Sequence, residues 1–390
     1  MVKNPAIVIV TFNRPKSLER LLMNIAQAHY EDTPVDLVIS IDFQDSDSHS
    51  AVTKLAREFE WSKGSKHIIE HSTNLGLRAH VLSCGDLTSK YDSIIMLEDD
   101  LVVSRFFYDY TSKALNFYDN EEEIAGISLY NHKRNFLNGL PFELLGDHHD
   151  NYFLQIASSW GQAWTKKQWS SFKSWYEQNL SSAEAMNQTP RGILNWPESS
   201  WLKYFIRYLV SQNKYFVYPK ISYSSNFGDS GTHNKRNNSD YQVPLSITDN
   251  KEPRFAKLSD SVNVYDSYFE LCPEILRRFC PGLNNIEFTV DLQGLKHLAS
   301  FALPYAISSK RLKNSNFAEK TFGLNLKPVA MNIICDAAGN HFALAKIEDF
   351  DSSIGIKRTS SEEWLYFFGP ARLKIMSEVV LKELKSKLIK

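Results

Sequence analysis

Cysteine is scarce in this chain, with four residues among 390. Cys84, Cys272, Cys280 and Cys335 form no CxxC pair and are too few to staple a chain of this length, which excludes zinc ribbons and disulfide frameworks. Free thiols in a reducing compartment are expected, a Cys272–Cys280 bridge being the conceivable exception. An excess of charge is missing as well: 44 Lys and Arg stand against 45 Asp and Glu, a net charge of −1. That removes the broad attraction on which non-specific nucleic-acid binding rests, so no nucleic-acid partner is expected. Long apolar runs are also lacking. Ala6 to Val10 and Phe301 to Ile307 fall far short of the ~18 residues of a spanning helix, and the first meets Thr11, Asn13 and Arg14 before it could form a signal-peptide core. No internal repeat and no low-complexity tract is found.

What is present is globular, 43% hydrophobic and 13% aromatic, and long enough for two or three domains at ~100 to 200 residues each. From Ala6 to about Ser128 short β-branched runs alternate with amphipathic stretches, the pattern of a parallel sheet covered by helices. Ala6 to Val10 does not alternate and reads as a strand buried on both faces. Pro15 opens a helix with Leu18, Leu21, Leu22 and Ile25 on one face. Val35 to Ile41, His67 to His71 and Ser93 to Leu97 read as further strands, with helices after Asp45 to Ser50 and after Gly76. Each strand ends on polar residues. Ligands of open α/β sheets collect at the carboxyl ends of strands, so Thr11, Asp42, the Asn74 loop and Glu98-Asp99-Asp100 are expected to share one rim.

The acidic triplet is the sharpest chemical feature. Three adjacent carboxylates at the mouth of a buried strand repel one another and resist desolvation, and stay together where a cation or many donors offset that cost. Mg²⁺ or Mn²⁺ bridging a diphosphate meets the requirement, because a hard cation takes one or two protein carboxylates and completes its shell with phosphate oxygens. A triplet of this kind also suits the first turn of a helix.

Taken together, Val8-Ile-Val-Thr-Phe-Asn-Arg-Pro15, Ile39-Ser-Ile-Asp42, Asn74-Leu-Gly-Leu-Arg78 and the triplet resemble the GT-A nucleotide-sugar transferases. The resemblance is to glycosyltransferase family 2 and the N-acetylglucosaminyltransferase I-like group, with a Glu-Asp-Asp metal motif. It continues through Ser158-Ser-Trp-Gly-Gln-Ala-Trp164, Trp196-Pro-Glu-Ser-Ser-Trp201 and Asn226-Phe-Gly-Asp-Ser-Gly-Thr-His233, which look like the acceptor half of bacterial members, and covers roughly residues 4 to 235. It implies an α/β fold with a GT-A Rossmann-like, mostly parallel sheet flanked by helices. It implies that Thr11 and Arg14 line the base and pyrophosphate end of the donor, that Asp42 accepts from uracil or ribose, and that Asn74, Gly76 and Arg78 close over the nucleotide. Glu98 and Asp99 would face ribose and donor sugar, Asp100 would hold Mn²⁺ or Mg²⁺, and His233 would supply a nitrogen ligand or a phosphate contact. Trp160 and Gly161 would lie against donor or acceptor sugar.

The family inverts the anomeric carbon, so a carboxylate must take the acceptor hydroxyl's proton. Glu198 is the candidate, flanked by Trp196 and Trp201 that would desolvate it and stack on sugar faces. Many bacterial relatives have Asp after Trp, whereas here Pro197 intervenes and the acid is Glu; Asp229 is the second candidate base. The expected organisation is a nucleotide-sugar-binding half at 1–130, an acceptor-binding half at 131–245 and a C-terminal α/β or helical appendage at 246–390. Within the last, 292–312 joins Leu295, Leu298, Phe301 and Leu303 to Lys296, Lys310 and Arg311, a basic amphipathic stretch broken by Pro304, for which packing is favoured over a peripheral membrane contact.

The expected activity is metal-dependent inverting transfer from a nucleotide sugar, UDP-linked by first choice, to a glycan or lipid-linked saccharide in bacterial surface polysaccharide synthesis. The setting implied is cytoplasmic or peripheral at the inner membrane. The alternatives are a sugar nucleotidyltransferase, against which Val10-Thr-Phe-Asn-Arg14 offers no glycine, and a non-catalytic carbohydrate-binding descendant, against which the intact triplet weighs.

Overall fold

An unbroken run such as Ala6 to Val10 is stable as a strand only where both faces are covered, and in the computed structural model these residues are all buried. The structure describes residues 4–31, 34–180, 188–229, 239–248, 252–353 and 356–388. The run forms β1 (Ala6–Thr11), with β2 (Leu37–Ile41), β3 (Lys66–Glu70) and β4 (Ser93–Glu98) parallel to it in the order β3-β2-β1-β4. Between them run α1 (Pro15–Ala26), α2 (Asp47–Glu58) and α3 (Gly76–Gly85). Pro15 starts α1 where its missing N–H costs nothing, and Leu18, Leu21, Leu22 and Ile25 are buried on one stripe. Ser46 caps α2 by accepting from the His49 N–H at 3.2 Å.

After the triplet the chain continues as a strand, β5 (Leu101–Val103), followed by β6 (Ile124–Ser128), β7 (Asn151–Leu154), β8 (Gln162–Thr165), β9 (Tyr215–Pro219), β10 (Ser224–Asn226) and β11 (Val264–Tyr265). The triplet is therefore a link between two strands and not the first turn of a helix. Among the described residues nine strands form one sheet, β11-β7-β9-β6-β8-β4-β1-β2-β3. It is parallel from β4 to β3, at β6–β9 and at β7–β11, and antiparallel where β8 and β7 insert. The α/β class with a mainly parallel, helix-flanked sheet is the class expected.

The tryptophans divide between core and surface. Trp164, Trp169 and Trp201 are buried with Phe205 of the helix Trp201–Ser211, which stacks on Phe172 at 4.2 Å. Gly85 admits this cluster: a Cβ there would stand 2.0 Å from the Trp169 ring.

The chain divides into two compact units, Met1–His132 with Asp147–Ser267, and Lys133–Gly146 with Tyr268–Lys390. The first unit runs on past 245 because β11 pairs with β7 as its edge strand. In the second unit β12 (Phe288–Asp291), β13 (Tyr305–Ser308), β14 (Lys320–Phe322) and β15 (Phe342–Lys346) lie in the order β12-β13-β15-β14. Asn135 of the inserted segment donates to the Tyr268 carbonyl at 3.1 Å and to Gln293 at 2.9 Å.

Residues 292–312 do not form an exposed amphipathic helix. Lys296 and Lys310 are buried, Lys296 Nζ donating to Thr289 Oγ1 at 2.9 Å and Lys310 Nζ to the Lys296 carbonyl. Their charges are spent inside the unit. Cys84, Cys272, Cys280 and Cys335 are all free thiols, with Cys272 and Cys280 at opposite ends of the helix Pro273–Phe279.

Candidate active site

Parallel pairing brings the strand ends level, Thr11 beside Ile41 and Val10 beside Glu98. The next residues continue the ladder, the Asp42 N–H reaching the Thr11 carbonyl at 3.1 Å and the Asp99 N–H the Val10 carbonyl at 3.2 Å. The rim expected from the sequence thus exists. A second sheet of two strands adds to it: β10 pairs antiparallel with β5, and the Phe227 N–H bonds to the Asp100 carbonyl at 2.9 Å. That pairing delivers Asp229 to the same place. The resulting pocket has a volume of about 280 Å³, and its lining includes Thr11, Asn13, Arg14, Asp42, Asn74, Gly76, Glu98, Asp99, Asp100 and Asp229.

Among the described residues the charge in the pocket is unbalanced, with five carboxylates facing one lining cation, Arg14. Arg14 bridges two of them, reaching Asp99 Oδ1 with Nη2 and Asp100 Oδ2 with Nη1 at 3.0 Å. Burial pulls the guanidinium pKa down, yet Asp99 and Asp100 outweigh it and hold the group above its ordinary value. Asp99 also accepts from Thr11 Oγ1 at 2.7 Å. Burial pushes its carboxyl up to about 6 even with Arg14 opposing, and burial together with Asp100 raises Glu98. Asp100 Oδ1 is buried and has no hydrogen-bond partner among the described residues.

Several of these residues also bond within the protein. Asp42 was expected to meet uracil or ribose, but its carboxylate accepts from the N–H groups of Phe43, Leu75 and Gly76 at 2.8 to 3.0 Å, capping the entry to α3. Gly76 has φ +74°, a conformation that glycine adopts without strain. Asn74 donates to the Phe43 carbonyl at 2.8 Å and lies exposed. Asp99, 1% exposed, accepts from Thr11 and pairs with Arg14 in the pocket wall. Arg14 is engaged by carboxylates at the position where a pyrophosphate contact was expected.

Arg78 leaves the rim. It donates to Tyr204 Oη at 2.9 Å and lies 3.9 Å from Glu198. Glu198 is not enclosed by tryptophan: its side chain is 72% exposed, because it precedes the capping residue Ser200 in a surface turn. Hydrogen bonds from Lys203, at 2.7 Å, and from Tyr204 hold its carboxyl below the usual range. Asp229 is half-buried. Burial raises its carboxyl, but Arg20 and Ser17, both bonded to Oδ2, bring it below the ordinary value. Arg20 also covers the Phe227 ring at 3.6 Å.

Trp160 is half-exposed beside Tyr130 and Tyr241, at 4.6 and 4.9 Å, and Gly161 has φ +87° with Ser224 against it. Neither lines the rim pocket. His233 lies outside the described residues, and among those described no three His, Cys, Asp or Glu side chains converge as a metal site.

Sequence reading missed Ser17, Arg20, Lys203, Tyr204 and His80. His80, buried in the pocket wall and bonded to Ser40 Oγ at 2.8 Å, is pulled down to about 4 by burial and is neutral at pH 7. Only the helical position of Ser17 and Arg20, three and six residues after Arg14, could have marked them.

No protein-family model and no curated protein matches the chain. Solved structures that resemble it include S. aureus TarS 1–349, at 13% identity and TM-score 0.35 over 56% of this chain and 59% of that one. A longer TarS structure aligns over 56% of this chain and 36% of its own, at the same identity and score. The mannosyltransferase PcManGT from Pyrobaculum calidifontis, solved with GDP-Man and Mn²⁺, matches at 13% identity and TM-score 0.35, over 57% and 59%. The chain thus spans less than two thirds of the length of each. Likeness of this size carries no argument about activity.

Proposed function

We propose that the chain is a metal-dependent glycosyltransferase that inverts the anomeric carbon, moving a sugar from a nucleotide sugar, UDP-linked by first choice, to a glycan or lipid-linked saccharide of bacterial surface polysaccharide assembly. The observation that carries this reading is the rim pocket, where among the described residues carboxylates outnumber cations and Asp100 Oδ1 has no hydrogen-bond partner. A dianionic diphosphate would be repelled from such a pocket, and a buried carboxylate oxygen without a donor is costly unless a cation meets it.

Asp100, with Glu98 beside it, fits a hard divalent cation, and His233 is the proposed nitrogen ligand. Bound there, the ion would offset the charge of carboxylates and diphosphate together. Arg14, whose clamp on Asp99 and Asp100 substitutes for part of that charge, is proposed to turn to the pyrophosphate when the ion takes its place. Thr11 orients Asp99, and Asp42 holds the Asn74–Gly76 turn over the nucleotide site. Glu198 is the proposed base: it is open to an acceptor hydroxyl, and Lys203, Tyr204 and Arg78 fix its carboxylate. Asp229 is less suited, since Arg20 and Ser17 share the oxygen that points into the structure. Trp160 and Gly161 are proposed to meet sugar.

Calorimetry of UDP with Mn²⁺, with Mg²⁺ and with chelator tests the reading. Binding that needs the ion, and that Asp100→Ala weakens by about 10²-fold or more, is the expected result. Identical binding with chelator and with metal would overturn the metal assignment.

A further inference from the structure

The helix Ser361–Leu388 is broken at Gly369, where φ is 70°, and Pro370 follows directly. Before the break, Trp364 and Phe368 stack at 4.7 Å, both only partly buried, and Leu365 beside them is 47% exposed. Beyond it, Ile375 and Val379 are 60% and 55% exposed, one turn apart on the same face. Exposed Arg372 and Lys374 flank them. Over 371–390 the sequence places six cations against Glu378 and Glu383 alone. The helix start is tied to its own unit by Glu363, which pairs with Lys357 at 2.9 Å and with His341 at 3.4 Å. Among the described residues after the break none shares those ties.

We propose that this helix docks on an anionic lipid surface. Its features are those of an interfacial helix: partly exposed aromatic and aliphatic side chains on one side of the break, and exposed Ile375 and Val379 within a sequence that carries an excess of Lys and Arg on the other. Charge selects the occupant. A second copy would bring the same excess of cations in 371–390 against itself, whereas a bilayer containing acidic headgroups offers the opposite sign to that part of the helix. No helix among the described residues is long and apolar enough to cross a membrane, so contact would be in the plane of the surface. The inference does not depend on the reaction proposed above. It places membrane contact not at residues 292–312, whose Lys296 and Lys310 are buried, but at a segment whose Arg372 and Lys374 are exposed.

Co-sedimentation of the full chain with vesicles of phosphatidylcholine, with and without phosphatidylglycerol, tests it. Binding is expected only to the vesicles that contain phosphatidylglycerol and is expected to fall as salt rises. Ile375→Asp with Val379→Asp should weaken it by about tenfold or more, with the circular dichroism and thermal melting of the rest of the chain unchanged. Equal binding of variant and parent, or no binding to anionic vesicles at low salt, would overturn the proposal. A concentration-dependent dimer lost in the same variant, with vesicles ignored, would assign the face to a second copy instead and overturn it equally.

Discussion

At the scale of single residues, the two carboxylates that compete for the role of base differ in what surrounds them. Glu198 is exposed and held by Lys203 and Tyr204, whereas Asp229 sits in the pocket as the anchor of Arg20 and Ser17. Glu198→Gln keeps shape but cannot accept a proton, so donor affinity should hold while turnover falls by ~10² or more. Asp229→Asn should act in the other direction, leaving turnover within a few-fold and loosening donor binding as Arg20 loses its charge partner. Measured kcat and donor Kd for both variants decide the matter, and near-parent turnover of Glu198→Gln would remove it from the reaction. The strand-end acids were legible because a polar residue closing an apolar strand is a local pattern. Their partners were not: Arg20 and Asp229 are 209 positions apart, and nothing local to either predicts that the β5–β10 pairing joins them.

At the scale of elements, glycine and helix caps decide how the pieces meet. Gly85 ends α3 against the Trp169 indole, and a methyl group there would have to displace a ring that is itself packed on Trp164 and Phe172. Gly85→Ala should therefore destabilise the protein by about 1–3 kcal/mol, read by urea unfolding, because a fully packed site cannot yield. The helix Ser361–Leu388 supplies a pH test. Burial raises the Glu363 carboxyl, but bonds from His341, Lys357 and the Ser360 N–H bring it down to about 2. A carboxyl lowered in the folded state contributes stability above its unfolded value, near 4.5, and loses it as pH falls toward 2. Parent and Glu363→Gln should differ by on the order of 2 kcal/mol at pH 7 and converge only below about pH 2; a constant difference from pH 7 down to that point would argue against the ionic tie. Helix faces such as Leu18, Leu21, Leu22 and Ile25 were readable from period alone. The fate of Lys296 and Lys310 was not, since a basic amphipathic pattern looks the same whether its cations face solvent or, as here, the Thr289 hydroxyl and a backbone carbonyl.

At the scale of the whole molecule, the division of labour follows unit boundaries that the chain crosses more than once. Residues 133–146 leave the first unit to join the second, and the edge strand β11 closes the first unit only at Tyr265. A fragment of residues 1–267 with 133–146 replaced by a short Gly-Ser linker should stay soluble and bind UDP in a metal-dependent way. A fragment ending at 245 should aggregate, because Tyr152, Phe153 and Leu154 of β7 lose the strand that covers their edge. Equal solubility of the two would show that β11 is dispensable. Composition and the change in character near residue 245 suggested a boundary there, but a strand of two residues leaves too little periodicity to be read.

The late closure by β11 also sets an order of events on the ribosome. The strands β1 to β4 can pair as soon as they emerge, but β7 must wait for more than a hundred further residues before its outer neighbour exists. At synthesis rates of ~5–20 residues per second that is an interval of the order of ten seconds. For that time the nascent chain carries an open strand edge with three apolar residues, and the segment 133–146 is without the residues from Tyr268 onward that it packs on. Yield during synthesis should then depend on how fast translation runs past Tyr265 relative to capture by holding chaperones, more than on the stability of the finished sheet.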